Sequence, residues 1–225
     1  MSALATSLLS SPLANRVFTE KQLAETLGGS DARRYALVNR ALKDGSLVRL
    51  KRGAYLLAAQ RSSAALYPFC VAQALVPGSY VSFETALAHH GWIPEAVYAT
   101  ASVTPGRKTL EHNTPVMGRF SYHPLALQPY GHLVAVERQT FGGLVAFVAS
   151  PLRALVDLVA LRKHGWTGLE WLTSGLRIDE AQLHSLRRKD ISRLKTVYKH
   201  KAVNAFINEL EKALVAPLLS ESDRP

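Results

Sequence analysis

"SDARRYALVNRALKDGSLVRLKRGAYLL", residues 30–57, joins two pieces of different periodicity. Ser30 stands where a helix N-cap belongs. Behind it Tyr35, Val38, Ala41 and Leu42 recur at spacings of three and four, the buried stripe expected of an amphipathic helix. Arg33, Leu37, Arg40 and Asp44 fall on the other side, with Arg34 at the margin. Asp44-Gly45 then opens a turn. "SLVRL" and "AYLLA", the latter reaching Ala58, read as short strands, with Lys51-Arg52-Gly53 as the turn between them. Leu47, Leu50, Tyr55 and Leu57 are the candidates for anchoring this ribbon to the helices. Cations at a hairpin tip add nothing to folding, so Lys51 and Arg52 are expected either to be a solvated end or to meet an anion.

Working upstream, "FTEKQLAETLGG", residues 18–29, pairs Thr19 with Gln22 three positions later, the pattern of a capping box. Leu23 and Leu27 share one face, and Gly28-Gly29 stops the helix. "SALATSLLSSPLA", residues 2–14, reads as a first helix with Leu4, Leu8 and Leu9 on its buried side. Helix, helix, short glycine turn, helix and two-stranded ribbon is the order of a winged helix-turn-helix. Its third helix would enter the major groove and its ribbon would lie along the adjacent backbone or minor groove. The expected DNA-binding residues are Ser30, Arg33, Arg34 and Arg40 on the helix and Arg49, Lys51 and Arg52 on the wing. Arg33 and Arg34, near the helix start, are best placed for base edges.

The charge distribution agrees. The chain of 225 residues carries a formal net charge of +10. Residues 1–60 hold nine Lys/Arg against four Asp/Glu, half of the excess in about a quarter of the chain. That asymmetry points to a polyanionic partner, most simply double-stranded DNA.

Beyond the ribbon, "AAQRSSA", residues 58–64, reads as a linker. "YPFCVAQALVPG" favours a helix ended by Pro77-Gly78, and "SYVSF" a strand running into the helix "ETALAHHG". "VYATASV", "GRFSYHPL", "HLVAVERQ" and "GLVAFVAS" are strand-like, separated by Gly and Pro turns. From Pro151 the pattern is helical and includes one long helix over "ISRLKTVYKHKAVNAFINELEKALV", residues 191–215. The expected fold class is α+β. A winged helix-turn-helix at 1–60 precedes a mixed α/β domain at 65–150, whose helical C-terminal part covers 151–217.

Chemistry-bearing patterns are sparse. His89-His90 are adjacent and point about 100° apart on a helix, so they do not share a metal ion. "TPGRKT" lacks the glycine spacing of a phosphate loop and reads as a basic turn carrying Arg107 and Lys108. Cys70 lies among apolar residues and reads as a buried thiol. Asp157, with Arg153 four residues before it, reads as an ion pair at a helix edge. Arg188, Lys195 and Lys199 share a helical face and form, with Arg107 and Lys108, a candidate second anion or partner surface. No catalytic constellation, metal site or cofactor is expected.

The most apolar window, "LVAFVASPLRALVDLVAL", is broken by Pro151, Arg153 and Asp157, so no membrane span or membrane partner is expected. The N-terminus lacks the basic region of a signal peptide, and a single cysteine fits a reducing compartment. The expected setting is cytoplasmic.

The segment "SYVSFETALAHHGWIPEAVYATASVTPGRKT" resembles the AbiEi family of antitoxins from type IV toxin–antitoxin systems. The "LKRGAYLL" wing and "VASPLRALVDLVAL" extend the resemblance over roughly residues 15–165, with Ser79 to Pro94 its most distinctive run. The resemblance implies a winged helix that binds inverted repeats at its own promoter and represses the operon. It also implies a C-terminal part that counters a toxin of nucleotidyltransferase fold, through the toxin itself or its RNA substrate. The chain is compact for that family. Two other readings stay open. One is a ligand-responsive winged-helix repressor, with Tyr80, Phe83, Trp92 and Tyr98 lining a pocket. The other is a nucleic-acid enzyme, which Glu84, Glu95 and Glu111 do not support by their spacing.

Overall fold

Residues 2–60 and 67–221 are described by a computed structural model. Three helices, α1 (Ala3–Leu9), α2 (Glu20–Leu27) and α3 (Asp31–Lys43), lie beside a small antiparallel sheet. Its strands are β1 (Phe18–Thr19), β2 (Leu47–Lys51) and β3 (Ala54–Leu57), in the order β1-β3-β2. The third strand, β1, is too short to stand out in sequence and pairs Phe18 with Tyr55. Every residue of β3 is buried, as a strand covered on both faces requires. Alternation sends Leu47, Tyr55, Leu57 and Phe18 into a core with Leu4, Leu8, Leu23, Val38 and Ala41 of the helices. Val17, Val48, Leu50, Ala54 and Leu56 point the other way, into the core of the second unit. Leu50 therefore anchors the ribbon to that unit and not to the helices, because it lies an odd number of residues from Leu47.

The α3 stripe is also shifted from its expected position. Val38 and Ala41 are its buried centre, and Leu37 and Leu42 pack at its margins. Tyr35 is 70% exposed. Of the linker expected at 58–64, Ala58–Gln60 form a 3-10 turn, and residues 61–64 lie outside the described residues.

The second unit is built on a six-stranded mixed sheet in the order β6-β7-β5-β4-β9-β8. The strands are β4 (Tyr80–Val81), β5 (Ala99–Thr104), β6 (Leu110–Thr114), β7 (Gly118–Pro124), β8 (Val136–Phe141) and β9 (Leu144–Ala149). β5 runs parallel to β7 and β4 parallel to β9, while the other pairs are antiparallel. The edge strand β6, "LEHNT", is mostly polar and lacks an apolar alternation. The helices are α4 (Pro68–Leu75), α5 (Phe83–His89), α6 (Pro151–Arg162), α7 (Glu180–His184), α8 (Arg188–Leu194) and α9 (Lys201–Glu221). Within the helical region expected from Pro151, Trp171–Gly175 form a π-helical turn, and there Trp171 stacks on His164 at 4.0 Å. Among the described residues no helix is long and apolar enough to cross a membrane.

The long helix expected over 191–215 is two helices. Between α8 and α9 the chain bridges to residues 126–128: Gln128 N–H donates to the Val197 carbonyl at 2.8 Å, and Lys199 N–H donates to the Ala126 carbonyl at 2.9 Å. This break turns the Tyr198 hydroxyl inward to donate to Asp157 at 2.7 Å.

Asp157 is at the centre of the core and not at a helix edge. It and Arg153 are both fully buried, with Arg153 Nε donating to Asp157 Oδ1 at 2.9 Å. Tyr80 and Ser82 donate to Oδ2 at 3.0 and 2.7 Å. Arg153 Nη1 reaches the carbonyls of Gly131 and Val134 at 3.0 and 2.7 Å. Burial opposes the charge on Arg153, and Asp157, Tyr198 and Tyr80 together outweigh it. A buried charge without partners would cost several kcal/mol, on the order the handful of directed bonds here offsets. The network ties α6, β4, the 131–134 loop and the α8–α9 break to one point.

Candidate nucleic-acid interface

α2 begins with both halves of the capping box, Thr19 accepting from Gln22 N–H and Gln22 accepting from Thr19 N–H. Gly28 and Gly29 follow it at φ +61 and +74, a left-handed pair that only glycine adopts freely. Ser30 then caps α3, its Oγ accepting from Arg33 N–H at 3.4 Å. Its expected place at the helix start is therefore met, and its hydroxyl is committed to the cap.

Arg34 is placed differently from its expected role at base edges. Its guanidinium donates back to the carbonyls of Gly28, at 3.1 Å, and Gly29, and pairs with Asp31. Three partners hold it on the α2–α3 turn, where the glycine carbonyls would otherwise lack donors. Arg33 and Arg40 are exposed and, among the described residues, have no carboxylate partner.

On the ribbon, Arg49 is exposed and lies over the Tyr55 ring, its guanidinium carbon 5.9 Å from the centroid. Tyr55 donates its hydroxyl to Glu20 at 2.8 Å, and burial, followed by Glu20, pushes its pKa upward. Gly53 takes φ +75 in the turn, and its carbonyl accepts from Glu20 N–H at 3.2 Å. Arg52 is exposed. Lys51 is not free at the tip: it is partly buried, and its ammonium donates to the Leu75 carbonyl at the end of α4. The ribbon is thus fastened to α2 on one side and to the second unit on the other.

Together α2, α3 and the ribbon enclose a groove of about 830 Å³. Lys21, Arg34, Tyr35, Asn39, Arg49 and Arg52 are among the residues lining it. Tyr35, Asn39 and Lys21 were missed by the sequence reading. A signal for two of them exists: Asp31, Tyr35, Asn39 and Lys43 recur every fourth residue as a polar line beside the apolar stripe.

Of the second candidate surface, Arg188, Lys195 and Lys199 do not share one helix face, because α8 ends at Leu194. Arg107 and Lys108 lie exposed in the turn between β5 and β6. Arg188 and Lys195 both turn to Glu211 of α9, Arg188 at 3.6 Å and Lys195 through a hydrogen bond. The bond from Lys195 holds the Glu211 carboxyl below its usual range. Two of the five expected cations thereby share a single carboxylate. Lys199 is exposed after the helix break and has no carboxylate partner among the described residues.

Other reactive side chains are tied into structure. His89 and His90 donate to Gln139 and to the Ala149 carbonyl, each at 2.9 Å. Burial pushes the Cys70 thiol up to about 11. Among the described residues no three His, Cys, Asp or Glu side chains are grouped to hold a metal ion. Tyr80, Phe83 and Trp92 are buried in the core while Tyr98 is almost fully exposed, so these four do not line one pocket.

No protein-family model matches the chain, and no curated protein matches it in sequence. Among solved structures it is similar to the RV2827C protein from Mycobacterium tuberculosis, with a TM-score of 0.55 and 16% identity. That likeness covers 100% of this chain and 83% of the other. At this identity the likeness extends to the fold alone: a mixed α+β chain with two sheets.

Proposed function

We propose that this protein is a DNA-binding antitoxin that represses its own operon and counteracts a nucleotidyltransferase-type toxin. In this reading residues 2–57 act as a winged helix-turn-helix, with α3 as the recognition helix and the β2–β3 ribbon as the wing. The observation that carries the DNA-binding half is the agreement of two separate elements. α3 offers Arg33, Arg40 and Lys43, and the ribbon offers Arg49 and Arg52, all exposed and, among the described residues, free of carboxylate partners. Solvated cations on neighbouring elements suit a phosphate backbone, where each contact releases counterions.

The antitoxin half rests on the resemblance of residues 15–165 to the AbiEi family. It is tested by co-expression. The protein should relieve growth arrest caused by a nucleotidyltransferase encoded beside it, and it should lower expression of a reporter placed behind its own upstream DNA. Repression without rescue would leave a regulator that is not an antitoxin.

A further inference from the structure

The exposed face of α3 has a definite composition. At 100° per residue, the direction opposite the buried centre of Val38 and Ala41 is occupied by Ala32, Ala36 and Lys43. Arg33 and Arg40 flank this crest on one side, and Tyr35 and Asn39 flank it on the side of the groove. A helix with side chains is about as wide as the major groove, so small residues on the crest let its backbone approach the base edges. Tyr35 is 70% exposed and its ring lines the groove, so the ring is available to a ligand there. Asn39 is partly exposed, and neither Asn39 nor the Tyr35 hydroxyl takes part in a side-chain hydrogen bond among the described residues of this unit. Arg34, by contrast, has its guanidinium occupied at the α2–α3 turn.

We infer that Asn39 and Tyr35 are the specificity-determining residues for an A·T base pair in the operator, and that Arg34 is a positioning residue which reads no base. This rests on the reading of α3 as a recognition helix. The Asn39 carboxamide has the donor and acceptor that adenine N7 and N6 require in the major groove. The Tyr35 ring supplies an apolar surface for the thymine methyl beside it. The crest alanines allow both to reach that depth. Arg33 and Arg40, on the opposite flank, meet guanine edges or phosphate.

The test is a binding selection from a randomised duplex library, run on the full chain with wild type, Asn39→Ala, Tyr35→Ala and Arg34→Ala. Thermal melting confirms that each variant is folded. Wild type should enrich a site containing an A·T pair that Asn39→Ala no longer distinguishes, with discrimination there falling by about 5- to 150-fold. Tyr35→Ala should relax the same or the adjacent position. Arg34→Ala should weaken all sequences alike and leave the base preference unchanged. The inference is overturned if Asn39→Ala and Tyr35→Ala keep the wild-type preference at every position, or if Arg34→Ala alters it. Failure of wild type to bind any duplex would instead remove the recognition-helix reading itself.

Discussion

The guanidinium of Arg153 and the carboxylate of Asp157 meet at 2.9 Å with neither side chain reaching solvent. One turn of α6 thereby places a full ion pair at the centre of a hydrophobic core, bonded further by Tyr80, Ser82 and Tyr198. Removing one member strands the other in low dielectric. Asp157→Ala should cost about 3–5 kcal/mol in urea unfolding. Tyr198→Phe, which removes one bond to a charged group, should cost about 1.5–3 kcal/mol. An effect under 0.5 kcal/mol for Asp157→Ala would mean that the pair is not buried in solution.

The small sheet is a wall shared by two cores, with Leu56 on one side of β3 and Leu57 on the other. Leu56→Ala and Leu57→Ala should each destabilise by about 2–5 kcal/mol. Because the wall is common, unfolding should be one transition. Tryptophan fluorescence, which reports only on Trp92, Trp166 and Trp171 of the second unit, should coincide with far-ultraviolet circular dichroism. Two separated transitions would show that the units unfold independently.

Lys51 and Arg52 are neighbours in sequence with different duties. Lys51 bonds the Leu75 carbonyl, so Lys51→Ala should lower stability by about 1 kcal/mol. Arg52 is exposed, so Arg52→Ala should leave melting unchanged while weakening DNA binding and reducing the salt slope by about one phosphate contact. Equal behaviour of the two variants in both assays would contradict this division.

Burial depresses the pKa values of His90, His112 and His123 below the free value of 6.5, and at His112 Lys51 adds to the effect. Between the folded and free values the unfolded chain takes up protons that the folded chain refuses. Stability therefore rises with pH through that window, and it falls as pH drops below about 6.5. The melting temperature should be lower at pH 5.5 than at pH 7.5. His90→Gln should reduce the difference. A melting temperature independent of pH across this range would contradict the burial of these rings.

Local rules read well from sequence wherever a short stretch decides the outcome. The Thr19–Gln22 box, the Gly28-Gly29 stop, the Ser30 cap and the Arg52-Gly53 part of the ribbon turn all follow from chemistry within a few residues. What was not legible depends on contacts far along the chain. Leu50 faces the second unit because a partner there covers the ribbon. Lys51 turns inward because α4 ends beside it. Asp157 is central because Tyr80, Ser82 and Tyr198 converge on it from three distant segments. Tyr35 misled for a related reason: an aromatic residue at helical spacing reads as core unless the position of the whole stripe is known.

The central claim is that α3 and the ribbon form one cationic surface for duplex DNA. It is tested most directly by fluorescence anisotropy of a duplex from the protein's own upstream region, titrated at several salt concentrations. With Lys21, Arg33, Arg40, Lys43, Arg49 and Arg52 each meeting about one phosphate, log affinity should fall against log salt with a slope of about −5. The combined Arg33→Ala, Arg40→Ala and Arg52→Ala variant should flatten that slope to about −3. A wild-type slope near zero, or a triple variant that binds as wild type does, would contradict the account.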